Sequence, residues 1–169
     1  MIPEEFRLVV ATFALGLRHG WVECRDVVAW ADQRIAAASE PHSALLELSL
    51  LGAQDAPGGA SSIETLFGGR PPAIPESYLL GAMGVVLSRH PERGRAIAAH
   101  LWSFTRDRDN EKRPGVVHDL ALPFYWYGEA DDEPELYAPD EPLNMLREAL
   151  VPFRFKSVGE LDPPFGPIA

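Results

Sequence analysis

Apolar positions recur at helical spacing along most of the chain. Phe6, Val9, Val10, Phe13 and Leu17 follow Pro3-Glu4-Glu5. A proline fits a first turn, and carboxylates suit the positive end of a helix dipole, so the spacing predicts an opening helix. Val27, Ala31 and Ile35 then repeat at i, i+4 and i+8. Trp30 widens their stripe, and Asp32, Gln33 and Arg34 fall opposite. This predicts a second helix with Asp26 as its N-cap, ended by Ser39-Glu40-Pro41. Leu45, Leu46, Leu48, Leu50 and Leu51 point nearly all round a third helix, which predicts burial, with Gly52 as its stop. Glu47 either takes the one exposed stripe of that helix or caps a neighbour.

Residues 53–60 hold two glycines and a proline and read as a loop. Ser61-Ser62-Ile63-Glu64 has the capping-box pattern of a short helix, closed by Gly68-Gly69. Residues 70–75, Arg-Pro-Pro-Ala-Ile-Pro, read as extended, polyproline-like chain. Leu79, Met83 and Val86 form the next helical stripe. After Pro91 comes another, Ile97, Leu101 and Phe104, with Trp102 assigned to core or interface. The polar run 106–115 reads as a loop.

Beyond it the period blurs. Val116 to Leu122 fits helix or strand, and Pro123 interrupts whichever it is. Phe124-Tyr125-Trp126-Tyr127 is aromatic, β-prone and ended by Gly128. Leu143, Leu146 and Leu150 predict a last helix, 152–156 a short strand, and 160–169 an irregular tail. The sum is a mainly α fold: a single-domain bundle over 1–169 of about six or seven helices, with a short β element near 124–127 and 152–156. At 169 residues the chain is long enough for one real core.

Charge changes the picture more than composition does. Apolar residues make up 46% and charged residues 24%, ordinary for a globular chain, but the net charge is −10. Neutralising phosphates takes Lys and Arg, so the balance argues against nucleic acid and anionic membranes and suits a basic protein partner. No window of ~18 apolar residues predicts a membrane span. The acidic start is no signal peptide. A single cysteine, Cys24, excludes an internal disulfide and multi-cysteine zinc. A cytoplasmic setting follows.

Phosphate-binding glycine patterns, a His-Glu-x-x-His pair and a nucleophile elbow are absent. His19, His42, His90, His100 and His118 are scattered, with none at metal-ligand helix spacing. His118-Asp119 is the most reactive-looking dipeptide, but helix or strand neighbours point apart. No catalytic, cofactor or metal residue is therefore assigned.

Glu129 to Glu141 carries seven carboxylates and no Lys or Arg. It reads as a solvated loop, a docking surface for a basic protein, or a calcium site, the last without the required alternation. The aromatics beside it either complete the core or anchor an interface within a charged rim. On the interface reading the partner-binding candidates are Trp126, Tyr127, Glu129, Asp131, Asp132, Glu133, Glu135 and Tyr137.

Val28-Ala29-Trp30-Ala31-Asp32 with Ile35, then Pro41 and Leu45-Leu46-Glu47-Leu48-Ser49-Leu50, resemble small helical bacterial proteins found beside polymorphic or contact-dependent toxins. The resemblance covers the first third of the chain and carries no functional residues. It implies a cytosolic immunity-type protein that neutralises a basic toxin domain by covering its active site or groove. The alternatives are a small hydrolase-like enzyme using His118 and a structural subunit of a larger complex.

Overall fold

The computed structural model describes residues 2–106, 114–132, 138 and 140–153, and the side chains of 104–106 and 114–121 fall outside that description. Among the described residues the fold is mainly helical, with eight α-helices and no strand. These residues group into two compact units, one running to Leu79 and the other starting at Leu80.

The first unit begins with a 3-10 turn that continues into α1 (Arg7–Arg18), followed by α2 (Cys24–Ala37), α3 (Ser43–Ser49), a second 3-10 turn and α4 (Ala56–Leu66). The predicted stripes close this core: Val10, Phe13 and Leu17 of α1, Val27, Trp30 and Ala31 of α2, and Ile63 of α4 are buried. Gly20 ends α1 with a φ of 76°, a conformation that costs residues with a Cβ. The chain then folds back so that the amides of Trp21 and Val22 both donate to the Gly16 carbonyl. Arg18 pairs with Glu64 and ties α1 to α4.

Three details differ from expectation. Helix α2 starts two residues before Asp26. Glu23 is its N-cap, and Asp26 completes a capping box by accepting from the Glu23 amide at 2.9 Å. In α3, Leu45 and Leu48 are buried, but Leu46 and Leu50 are 47% and 75% exposed, so the helix is not closed all round. Glu47 lies on that exposed side. The short helix packs mainly on α2, which leaves its other side open. The third detail is α4, which starts at Ala56, inside the stretch 53–60 expected to be a loop. Asp55 caps it by accepting from the Gly58 amide at 2.8 Å, and Pro57 falls where an amide would be unpaired anyway. Ser61 is interior to this helix. Residues 70–75 carry no regular secondary structure.

The division between the units falls within α5 (Glu76–Arg89). The second unit continues through a 3-10 turn at Pro91–Arg93 into α6 (Gly94–Arg106), then α7 (Pro114–Asp132), α8 (Glu141–Leu150) and a last 3-10 turn, Val151–Phe153. Leu80, Met83, Leu87, Ile97, Leu101 and Leu146 fill its interior. Helix α7 packs against both α6 and α8.

Here the β expectation is overturned. Phe124 to Tyr127 lies inside α7, and Pro123 does not interrupt it. An internal proline removes one backbone hydrogen bond and costs about 3 kcal/mol. The buried Pro123 ring and the aromatic packing of this helix on α6 offset that loss. Tertiary packing outweighs β propensity. Residues 152 and 153 belong to a 3-10 turn; of the stretch 106–115 expected to be a loop, Arg106 ends α6 and Pro114 and Gly115 open α7, while 107–113, 154–156 and 160–169 lie outside the described residues.

Candidate docking face

The C-terminal half of α7 holds most of the sequence-predicted candidates, and helical geometry sorts them. Successive residues turn by about 100°. Tyr127 and Asp131 therefore share one line of the helix, and Tyr125, Glu129 and Asp132 share another, within roughly 60° of each other.

The first line faces α6. Asp131 accepts two hydrogen bonds from the Arg95 guanidinium, at 2.5 and 2.7 Å. The same guanidinium lies 5.3 Å from the centroid of the Tyr127 ring. A planar fork on a carboxylate, stacked on an aromatic face, is an arrangement arginine makes and lysine does not. The Arg95 hydrogen bond holds the Asp131 carboxyl below the usual carboxylate range, outweighing the opposing effect of desolvation, and the Arg95 charge adds to it. Burial pushes the Tyr127 phenol up, with Arg95 and Arg147 acting the other way. Gly94, the first residue of α6, lets the ring in: a Cβ there would collide with the Tyr127 hydroxyl and press on Leu143.

The second line faces solvent. Tyr125 is 50% exposed, while Glu129 and Asp132 are both exposed. The Tyr125 ring is backed from inside, edge-on to Trp102 of α6 at 4.7 Å between centroids, and Phe124 stacks on Trp102 at 5.7 Å with an interplanar angle of 4°. Such pairs hold an exposed ring in one orientation, and each is worth about 0.5–1.5 kcal/mol beyond burial.

The candidate list is thus split. Tyr127 and Asp131 serve the α6–α7 junction, Trp126 is half-buried, and Glu129 and Asp132 belong to the outer face. Glu133, Glu135 and Tyr137 lie outside the described residues. Tyr125, absent from the candidate list, belongs to the outer line, with Trp102 behind it. At a period of two, Tyr125 and Tyr127 would share a face, whereas in the helix they diverge by about 200°.

The groups with reactive potential are dispersed among structural tasks. His19 closes α1, its pKa lowered first by burial and then by Arg18. His42 caps α3, its Nδ1 accepting from the Ala44 amide at 3.1 Å. His90 Nδ1 is 3.2 Å from a Glu92 carboxylate oxygen, and His100 is buried in α6. His118 belongs to α7, with its side chain outside the description. Cys24 opens α2, buried, its thiol donating to the Asp55 carbonyl at 3.6 Å. Burial pushes that thiol up, and Asp55 and Asp26 push it further, which opposes thiolate chemistry. No group of three or more His, Cys, Asp or Glu among the described residues is placed to hold a metal ion. No helix among them is long and apolar enough to cross a membrane.

No protein-family model, curated protein or solved structure matches this chain.

Proposed function

We propose that this protein is a non-catalytic, cytosolic interaction module that docks a basic protein through the outer line of α7. One observation carries the reading: a half-exposed Tyr125, braced by Trp102 and Phe124, stands in line with the exposed carboxylates Glu129 and Asp132. An aromatic anchor inside a charged rim is the usual anatomy of a specific interface. The net charge of −10 supports a cationic partner, whose encounter it would accelerate. The resemblance in residues 28–50 supports an immunity-type role, in which the partner is a toxin domain neutralised by covering its active site or groove.

The test starts from a photo-crosslinking residue at Tyr125, used to identify the partner, which is then purified. Association rates are compared for the double variant Glu129→Lys/Asp132→Lys and a charge-matched control, Glu40→Lys/Glu47→Lys, both of whose residues are exposed. At low salt the α7 variant is expected to associate about ten-fold more slowly and the control far less so. Equal slowing in both would reduce the effect to net charge and remove the docking face.

A further inference from the structure

We propose that residues 70–75 are a docking motif for a second kind of partner, a domain with an aromatic-lined groove flanked by a carboxylate. This surface is independent of the α7 line. The segment reads Arg-Pro-Pro-Ala-Ile-Pro, with Pro72 and Pro75 three residues apart. Its three proline rings each hold φ near −65°. Arg70, Pro71 and Ile74 each precede a proline, which biases them to extended backbone. The polyproline II helix meets both restraints and repeats every three residues.

The burial of the segment follows that period. Arg70 and Ala73 are exposed, and Pro71 and Ile74 are half-buried. On the third line Pro72 is half-buried and Pro75 exposed. The Pro71–Ile74 line is thus the inner one, and Arg70 and Ala73 form the outermost ridge. Pro72 and Pro75 lie beside that ridge, about 9 Å apart along the helix.

Both ends of the segment are tethered. Gly68 and Gly69, at φ 75° and 104°, turn the chain out of α4, and the Gly69 amide donates to the Glu64 carbonyl at 2.9 Å. At the other end the Pro75 carbonyl accepts from the Leu79 amide at 3.0 Å. Among the described residues no backbone hydrogen bond involves 70–74, which leaves the carbonyls of the segment for a partner's donors. A short extended segment pinned in this way has little ordering entropy left to lose on binding.

Proline pairs spaced in this way dock in grooves lined by aromatic rings. Arg70 sets the flank of the groove. It is exposed and, among the described residues, makes no hydrogen bond or ion pair. A carboxylate at the rim of the groove would pair with it. The net charge of −10 opposes a uniformly acidic partner, so the groove is aromatic first and acidic only at its rim.

Three purified domains built on such a groove, an SH3, a WW and an EVH1 domain, are titrated into the isotope-labelled full chain and followed by NMR. At least one is expected to bind, with shift changes concentrated at the amides of Arg70, Ala73 and Ile74. Pro72→Ala/Pro75→Ala should weaken that binding about ten-fold or more. Arg70→Gln, at an exposed position, should weaken it about two- to five-fold at low salt, and the gap should close at high salt. The α7 variant Glu129→Lys/Asp132→Lys should leave the shift pattern at 70–75 in place, so either surface can fail without the other. Absence of binding by all three domains, binding that survives loss of both prolines, or shifts centred outside 70–75 would overturn the motif and leave the segment a spacer only. An Arg70→Gln variant that binds as tightly as the parent chain would overturn the flanking carboxylate.

Discussion

Two aromatic clusters, each a tryptophan with two neighbouring rings, end up differently exposed. In the first unit, Trp30 meets Phe6 at 5.4 Å and Phe13 at 5.5 Å, both edge-to-face, and is 1% exposed. Arg34 lies over the Phe6 and Trp30 rings. In the second unit, Trp102 meets Phe124 and Tyr125 at similar distances, but Tyr125 stays half open beside carboxylates. What separates the closed cluster from the open one is the exposure of the outermost ring and the charge around it.

The largest expected effect breaks this comparison at the closed cluster. Trp30→Ala removes a buried indole and should cost about 3–5 kcal/mol in chemical denaturation. Tyr125→Ala should cost less, about 0.5–1.5 kcal/mol, because a half-exposed ring forfeits its ring contacts but little burial. Comparable losses in the two variants would mean that Tyr125 is a core residue.

Next in size is the α6–α7 junction, where Gly94→Ala forces the Tyr127 ring aside and should destabilise by about 1 kcal/mol. Adding Tyr127→Phe removes the obstructing hydroxyl, so the double variant should lose less than the sum of the two single variants. Strict additivity would show that the hydroxyl is not the obstacle.

Smaller still is the pH response of the closed unit. His19 has a folded pKa below its ordinary value of about 6.5, so between the two values the unfolded chain binds more protons. Stability should then fall as pH drops below about 6.5, and His19→Gln should flatten that slope in pH-dependent thermal melts. A slope unchanged by the substitution would assign it elsewhere.

The least perturbing test concerns Asp131. Its folded pKa is depressed, so its contribution is present above its ordinary value of about 3.9 and lost as pH falls through the folded one. Arg95→Gln should move the carboxyl signal of Asp131 back up toward that ordinary value in an NMR titration. No movement would mean that the Arg95 fork is not what holds it.

How much of this was legible in the sequence depended on the period of each stretch. Where apolar residues repeat at three and four, as in Val27, Ala31 and Ile35, the helix and its buried face could be read directly, and only the cap slipped, from Asp26 to Glu23. Two segments resisted. Ala56-Pro57-Gly58-Gly59 reads as a loop because its proline and two glycines disfavour helix interiors, yet Asp55 supplies the missing acceptor at its start. Pro123 and the four aromatics after it read as broken, β-prone chain because their helicity comes from packing on α6 and α8, which no local signal records. That second segment contains the proposed docking face. Composition drew attention to its aromatics and carboxylates, but only the helical period separates Tyr127, which lies with Asp131 toward α6, from Tyr125, which lies with Glu129 and Asp132.

The proposed role of the outward line of α7 is tested most directly by the map of backbone chemical-shift changes when the partner captured at Tyr125 is titrated into the labelled chain. The account predicts changes concentrated at Tyr125, Glu129 and Asp132, with α1 and α2 unmoved. Changes centred on α1, α2 or the buried histidine of α6, with the outer line of α7 silent, would contradict it.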